Sequence, residues 1–305
     1  MKNAILLIGN GINNIKGNND WKNLIENLID FSGLKNQKIN NENKPFPLLY
    51  EEVFLKAIRN KGKKIKKEIE LKEFISTHLK NIQPNSIHEK IHDLNCSDIL
   101  TTNYNYSLER VIDNKLNIYN NEGIIQETLY SLFRHNKIKK NKIWHIHGEC
   151  NKPYSITLGY EHYSGYLQHM RNYIVSGTDI AYKNNKFEAL IKRLNENDLI
   201  YYSWVDFFFL KNIYIIGLTL DFMEIHLWWL LTYRARSKFA KSIPIKNKIT
   251  YFVCKNKMNE IINKIELLES NDIIIHPIDC KQYDEEYYLK ILKIIKTCTI
   301  FHVNC

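Results

Sequence analysis

At 305 residues the chain is long enough to bury a substantial core, and its composition suits one large α/β domain carrying insertions. A formal charge of +10, from 43 Lys and Arg against 33 Asp and Glu, invites a nucleic-acid role. The lysines, however, are spread widely through a chain rich in asparagine and isoleucine, so nucleic acid is not expected to be the primary ligand. The six cysteines stand far apart with no C-x-x-C pair, which excludes a zinc ribbon and a compact disulfide framework. The first apolar run is too short for a signal peptide. The greasiest region, Phe207 to Leu231, is interrupted by Lys211, Asp221, Glu224 and His226 before it could span a bilayer. A reduced, soluble, cytoplasmic protein is the expectation.

Ala4 to Ile8 is an apolar run of strand length that breaks at Gly9-Asn10-Gly11, and Trp21, Leu24, Ile25, Leu28 and Ile29 then take up helical spacing. Strand, glycine turn and helix in succession suit a nucleotide. Glycine lets the backbone approach a phosphate closely, and the amide groups and helix dipole favour negative charge. A glycine after a first strand also serves simply to make the turn, and no third glycine stands at the usual Rossmann spacing. Lys35 to Lys44 reads as an exposed polar loop closed by Pro45 and Pro47. Helical patterns follow from Tyr50 to Leu79, interrupted by a solvated basic run from Lys61 to Lys67. A short helix is expected over Ser86 to Leu94, capped by Asn85 or Ser86.

Ile99 and Leu100 belong to a second short strand, after which Thr101 to Asn105 are polar and Leu108 to Ile112 are again helical. In open parallel sheets ligands sit outside the carboxyl ends of strands, so Thr101, Thr102 and Asn103 are expected in the same crevice as Gly9 to Asn13. The alternative is that Asn and Thr here only turn the chain and cap a helix. In Ile143 to Gly148, strand alternation predicts that His145 and His147 share one face, with Ile143 aligned. An imidazole at a strand end is suited to general base chemistry near neutral pH. A structural histidine, or a metal site built from His145, His147 and Cys150, are the competing explanations; no second ligand cluster accompanies the latter. Ile213 to Leu220 repeats the pattern of an apolar strand ending in Gly217 and Thr219, with a helix expected from near Asp221. Ile249 to Cys254 and Ile273 to Ile278 are further strands separated by a helix. A last helix is expected over Glu285 to Lys296, and the tail from Thr297 to Cys305 is expected to form an edge strand.

Four of these strand ends resemble sirtuin motifs in the right order. Gly9-Asn10-Gly11-Ile12-Asn13 resembles G-A-G-x-S, Thr101-Thr102-Asn103 resembles T-Q-N, His147-Gly148 matches H-G, and Gly217-Leu218-Thr219-Leu220 is similar to G-T-S-L. Trp21 to Leu24, the T-T-N-Y form, and Ile156-Thr157-Leu158 ahead of Tyr163 are closer to the SIR2-like proteins of bacterial anti-phage defence. The resemblance runs from about residue 4 to 235. It implies a Rossmann-like, doubly wound, mostly parallel α/β sheet forming a single SIR2-like domain over residues 1–305, with helical insertions at about 35–95 and 160–210. It further implies that NAD+ is the substrate and that Asn103 and His147 are the catalytic pair. The backbone of Gly9, Asn10, Gly11, Ile12 and Asn13 would hold the diphosphate, Thr101 and Thr102 would line the crevice, and Gly217 and Thr219 would lie near the adenosine ribose. No metal is expected, because the paired C-x-x-C zinc module of sirtuins is missing; this places hydrolysis of NAD+ ahead of deacylation. Asn105 stands where the family pattern has an acid at the nicotinamide end. The implied function is a NAD+ glycohydrolase that depletes NAD+ in abortive infection, controlled by a homo-oligomer or a separate sensor or regulator protein. A catalytically weak nucleotide-binding subunit is the alternative that Asn105 suggests, and a nucleic-acid-binding protein ranks third.

Overall fold

The structure, a computed structural model, describes residues 3–15, 21–35, 39–40, 43–60, 65–114, 121–124, 127–178, 186–196 and 203–301. In chain order its strands are β1 (Ala4–Ile8), β2 (Asp98–Thr101), β3 (Asn121–Glu122), β4 (His135–Ile138), β5 (Asn141–His145), β6 (Asn212–Ile216), β7 (Ile249–Cys254) and β8 (Ile273–Ile278). They form one eight-stranded sheet in the order β3-β4-β5-β2-β1-β6-β7-β8. From β5 to β8 every pairing is parallel, whereas β3 and β4 add to the β5 edge in antiparallel fashion. The mostly parallel α/β class expected from the sequence is the one observed.

A sheet covered on both faces selects strands that are apolar throughout rather than alternating, and β1 shows why. Ala4, Leu6 and Ile8 point into one core together with residues of the helices α1 (Trp21–Phe31), α2 (Phe46–Arg59), α3 (Glu68–Leu79) and α4 (Ser86–Asp93). Ile5 and Leu7 point into the other core. That second core is completed by α6 (Tyr160–Ser176), α7 (Leu190–Asn195), α8 (Phe207–Leu210) and α9 (Ile225–Ala240), which follow α5 (Ser107–Ile112) in the chain. The last two helices are α10 (Ile262–Ser270) and α11 (Glu285–Phe301). Because the chain winds from β1 to β2 on one side and later enters β6 on the other, the winding direction reverses at β1. A crevice opens at the carboxyl end of β1, between the loops after β2 and β6.

Several local expectations are corrected. The strand through Ile143 ends at His145, so Ile146 and His147 lie on a turn and the two histidines do not share a strand face. The helix expected from Asp221 starts at Ile225, because Asp221 and Glu224 close a turn ahead of it: the Met223 amide donates to Asp221 Oδ1 at 2.9 Å and the Asp221 amide to Glu224 Oε2 at 3.0 Å. The tail continues α11 as far as Phe301 rather than forming a strand, and residues 302–305 lie outside the described residues. Within the polar tract, residues 36–38 and 41–42 are outside the described set; within the basic run, residues 61–64 are. The strands β3 and β4 were not expected, since Asn121, Glu122, His135, Asn136 and Lys137 carry no apolar signal. Buried polar contacts hold this edge instead: Asn136 Nδ2 donates to Glu109 and to Glu149, both at 3.1 Å.

Candidate active site at the carboxyl ends of the strands

A cavity of about 450 Å³ occupies the crevice. Its floor is the junction of two turns. The Gly9 amide donates to Ile216 O at 2.9 Å and the Gly11 amide to Gly217 O at 2.8 Å, which knits the end of β1 to the end of β6. A Cβ on Gly9 would run into the backbone of Gly217 and Leu218, and one on Gly11 into the Tyr288 hydroxyl and Gly217 O. The glycines are thus required by the approach of the two turns, before any phosphate is considered. Asn10, Gly11, Gly217 and Thr219 line the cavity, whereas Ile12 is buried in the core. Asn13 is buried too, its side chain held between Asn10 Oδ1 and the His88 ring. The amides of Gly9, Gly11, Asn13 and Asn14 all bond to carbonyls of these two turns.

The loop after β2 supplies the second wall. Thr101 Oγ1 donates to Ile8 O and accepts from the Asn103 amide, both at 3.0 Å, so this hydroxyl is spent on shaping the loop. Thr102 and Tyr104 line the cavity. Asn103 is buried between the lining residues Thr102 and Tyr104: its Nδ2 donates to Gly9 O at 3.2 Å, which leaves Oδ1 without a protein partner among the described residues. The Asn103 carbonyl is held by His145 Nδ1 at 2.6 Å, and His145 Nε2 bonds Glu109 Oε1 at 2.6 Å. Burial alone would lower the His145 pKa, but the Glu109 carboxylate outweighs it and holds His145 above its ordinary value. Asn105 is buried and does not line the cavity; its Oδ1 accepts from the Ser107 amide, the first of α5, at 3.1 Å.

His147 faces the opposite way from His145 and enters the cavity wall. Its Nε2 lies 3.0 Å from Nε2 of His226, near the start of α9, and the two rings pack against Tyr163 of α6. Both imidazoles are buried. Burial pushes His147 down to about 3, and burial together with the neighbouring His147 holds His226 well below its ordinary value. Both rings are therefore neutral at pH 7, and one Nε2 carries the shared proton. His147 Nδ1 has no protein partner among the described residues, and His226 Nδ1 is buried without one.

The far wall was not foreseen. Tyr251 and Phe252 of β7 and Tyr283, Tyr287 and Tyr288 around the start of α11 form an aromatic side, and Glu224, Asp221 and Lys264 bring charge to it. Burial, with the Asp221 carboxylate nearby, pushes Glu224 up to about 8. Lys264 Nζ donates to Thr219 O at 3.0 Å. In the sequence His226 and Glu224 registered only as charges interrupting an apolar stretch. Their position at the start of the helix that follows the Gly217 strand end was the available signal. Cys150 is buried, its thiol pushed up to about 12, and its amide donates to Tyr104 O. Among the described residues no group of three His, Cys, Asp or Glu side chains could hold a metal ion. No helix among them is long and apolar enough to cross a membrane.

No curated protein matches the chain. The stretch that contains Thr102, Asn103, His147 and Tyr163 does match a family: residues 97–201 are similar to the SIR2-like domain, a domain compatible with NAD-dependent activity.

Proposed function

We propose that the protein is a NAD+ glycohydrolase, and the observation that carries this is a neutral, buried His147 presenting Nδ1 to a cavity at the winding reversal of the sheet. Asn10, Gly11 and Thr219 would hold the diphosphate and adenosine side of NAD+, and the tyrosine wall would cover its rings. The reaction breaks the bond between nicotinamide N1 and ribose C1′. The electron pair leaves with nicotinamide, a water oxygen bonds to C1′, and one proton is released. The transition state has oxocarbenium character, so a group that positions a ribose hydroxyl or the water lowers the barrier. His147 Nδ1 supports that role by accepting or donating at a ribose hydroxyl, and Asn103 Oδ1 by orienting the water. His145, fixed by Glu109, holds the Asn103 backbone in place.

Under this assignment the chain is one SIR2-like domain with insertions at about 35–95 and 160–210, acting on NAD+ in the cytoplasm without a metal. Its cellular role would be NAD+ depletion in anti-phage defence, switched on by self-assembly or by a separate sensor. The test is NAD+ loss and nicotinamide release by the purified protein, alone and with its genomic neighbours, against His147→Ala and Asn103→Ala. Each substitution is expected to lower turnover by about 100-fold or more while the protein stays folded. One observation favours a second assignment: Asn105 is no acid and does not line the cavity. A nucleotide-binding regulatory subunit would bind NAD+ under all of these conditions and never release nicotinamide.

A further inference from the structure

We propose that Glu224 is the group that reads the positive charge of the substrate, so that the site prefers a pyridinium dinucleotide such as NAD+ to its neutral dihydropyridine form. This assignment rests on the NAD+ function proposed above. Its basis is geometric. Glu224 lines the cavity; one carboxyl oxygen is held by the Asp221 amide at 3.0 Å, and Oε1 has no protein partner among the described residues. Glu224 directly precedes α9, two residues before His226, whose ring meets His147 at 3.0 Å, and Tyr163 packs edge-on against His147 at 5.6 Å. Glu224 thus stands where the far wall meets the His147 end of the cavity, while the position where an acid was expected, Asn105, bonds the Ser107 amide and does not line the cavity. The charge missing from the loop after β2 is supplied from the loop after β6.

The groups that face Glu224 are few. Asp221 on its own loop opposes its ionisation, and Lys264 of α10 favours it. Tyr104, Tyr163 of α6 and Tyr251 of β7 are neutral phenols whose pKa values are raised first by burial and then, among other groups, by Glu224. His147 and His226 are neutral. Lys264 is the one cation acting on Glu224 among the described residues and is committed to Thr219 O, so Glu224 holds its proton at pH 7 in the free protein. A pyridinium ring beside it favours the carboxylate, so binding expels the proton. A neutral dihydropyridine provides no such drive. The same carboxylate then faces the cationic character that spreads to the ribose as the glycosidic bond breaks.

The experiment is calorimetric titration of wild type, Glu224→Gln and Glu224→Asp with three probes: the carbocyclic analogue of NAD+, which keeps the pyridinium and cannot be cleaved, NADH, and ADP-ribose. Titrations at pH 7 are run in two buffers of different ionisation enthalpy, and repeated at pH 8.5. Wild type is expected to bind the NAD+ analogue about tenfold or more tighter than NADH at pH 8.5 and to release a proton on binding it at pH 7. In Glu224→Gln the two dinucleotides converge and the proton release disappears, ADP-ribose affinity stays within about twofold, and Glu224→Asp keeps part of the preference. Preference retained in Glu224→Gln, or no preference in wild type that still binds ADP-ribose, overturns the Glu224 assignment alone. An equal loss of ADP-ribose affinity in Glu224→Gln also overturns it, by making the residue a general support of the site. Failure of wild type to bind any of the three probes removes the NAD+ function itself, and this assignment with it.

Discussion

An imidazole that shares its Nε2 with a second imidazole has only Nδ1 left for a ligand, and which proton Nδ1 carries depends on that partner. His226 therefore governs what His147 offers the cavity, although His147 alone was legible in the sequence, from its strand-end position and the following glycine. His226 sits in an apolar helix where a lone histidine is ordinarily core, and only the three-dimensional contact with His147 at 3.0 Å distinguishes it. Replacing His226 by Ala would leave His147 Nε2 unpaired and open the pocket between Tyr163 and Tyr166 to water. Turnover is expected to fall about tenfold with KM little changed, and Gln at this position should restore much of it by offering an amide in place of the ring nitrogen. A simple packing role would not move the pH profile. Here rehydration raises the His147 pKa toward its ordinary value, so the acid limb of kcat/KM should move to higher pH in His226→Ala. An unmoved profile would reduce His226 to a core residue. Asn105 illustrates the opposite case: the residue type was noticed at once, but its bond to the Ser107 amide at the start of α5 left no signal in the sequence.

The elements around the site explain how a loop with so few committed side chains keeps its shape. The start of α4 braces the turn after β1: Asn85 Oδ1 accepts from the amides of Ile87 and His88, Asn85 Nδ2 donates to Ile12 O at 2.8 Å, and His88 Nε2 bonds Asn13 Oδ1 at 3.1 Å. The cap at Asn85 was readable from the sequence because Asn before an amphipathic run is an N-cap signal. Its second task was not, because contact between residues 12 and 85 leaves no trace in local spacing. Asn85→Ala should cost about 1 kcal/mol through the lost cap, and it also frees the Ile12 carbonyl. The expected result is a thermal midpoint lower by about 2 °C together with weaker ADP-ribose binding. A loss of stability with unchanged affinity would confine Asn85 to α4. The edge strands β3 and β4 were illegible for a related reason. Arg134 Nε lies 3.2 Å from Glu149 Oε1, and Asn136 reaches Glu109 and Glu149, so this edge is held by a buried polar network rather than by alternating apolar residues.

At the scale of the molecule, short apolar runs ending at Gly9 and Gly217 and alternating with helical patterns pointed to the doubly wound sheet, and the two cores that cover its faces account for those runs. The strand order was not readable, since periodicity records which face a residue takes and not which strand lies beside it. The same two-sided burial has a cost that shows in acid. His88, His147 and His226 are buried and neutral, with burial pushing His88 down to about 4 and His147 to about 3. In the unfolded chain each would take a proton near its ordinary value of about 6.5. Below that pH the unfolded state binds more protons than the folded one, so stability falls with pH until the folded-state pKa is reached. Each such histidine contributes a slope of about 1.4 kcal/mol per pH unit at most in that window. His135 and His276, also lowered by burial, add to this decline. His145, whose folded pKa the Glu109 carboxylate raises, gives stability that is gained only as pH falls to about 6.5, while Glu224, pushed up to about 8, opposes the decline throughout the window. Urea unfolding between pH 7.5 and 4.5 should therefore show a stability that rises slightly as pH falls to about 6.5, through His145 and Glu224, and declines below it, where the lowered histidines outnumber Glu224. His88→Gln should flatten the decline by about one proton's worth while lowering stability at pH 7.5, where the bond to Asn13 is lost. A stability that stays level down to pH 4.5 would mean that these histidines are hydrated or protonated in the folded state, and that the neutral imidazole assigned to the cavity is not the form the protein holds.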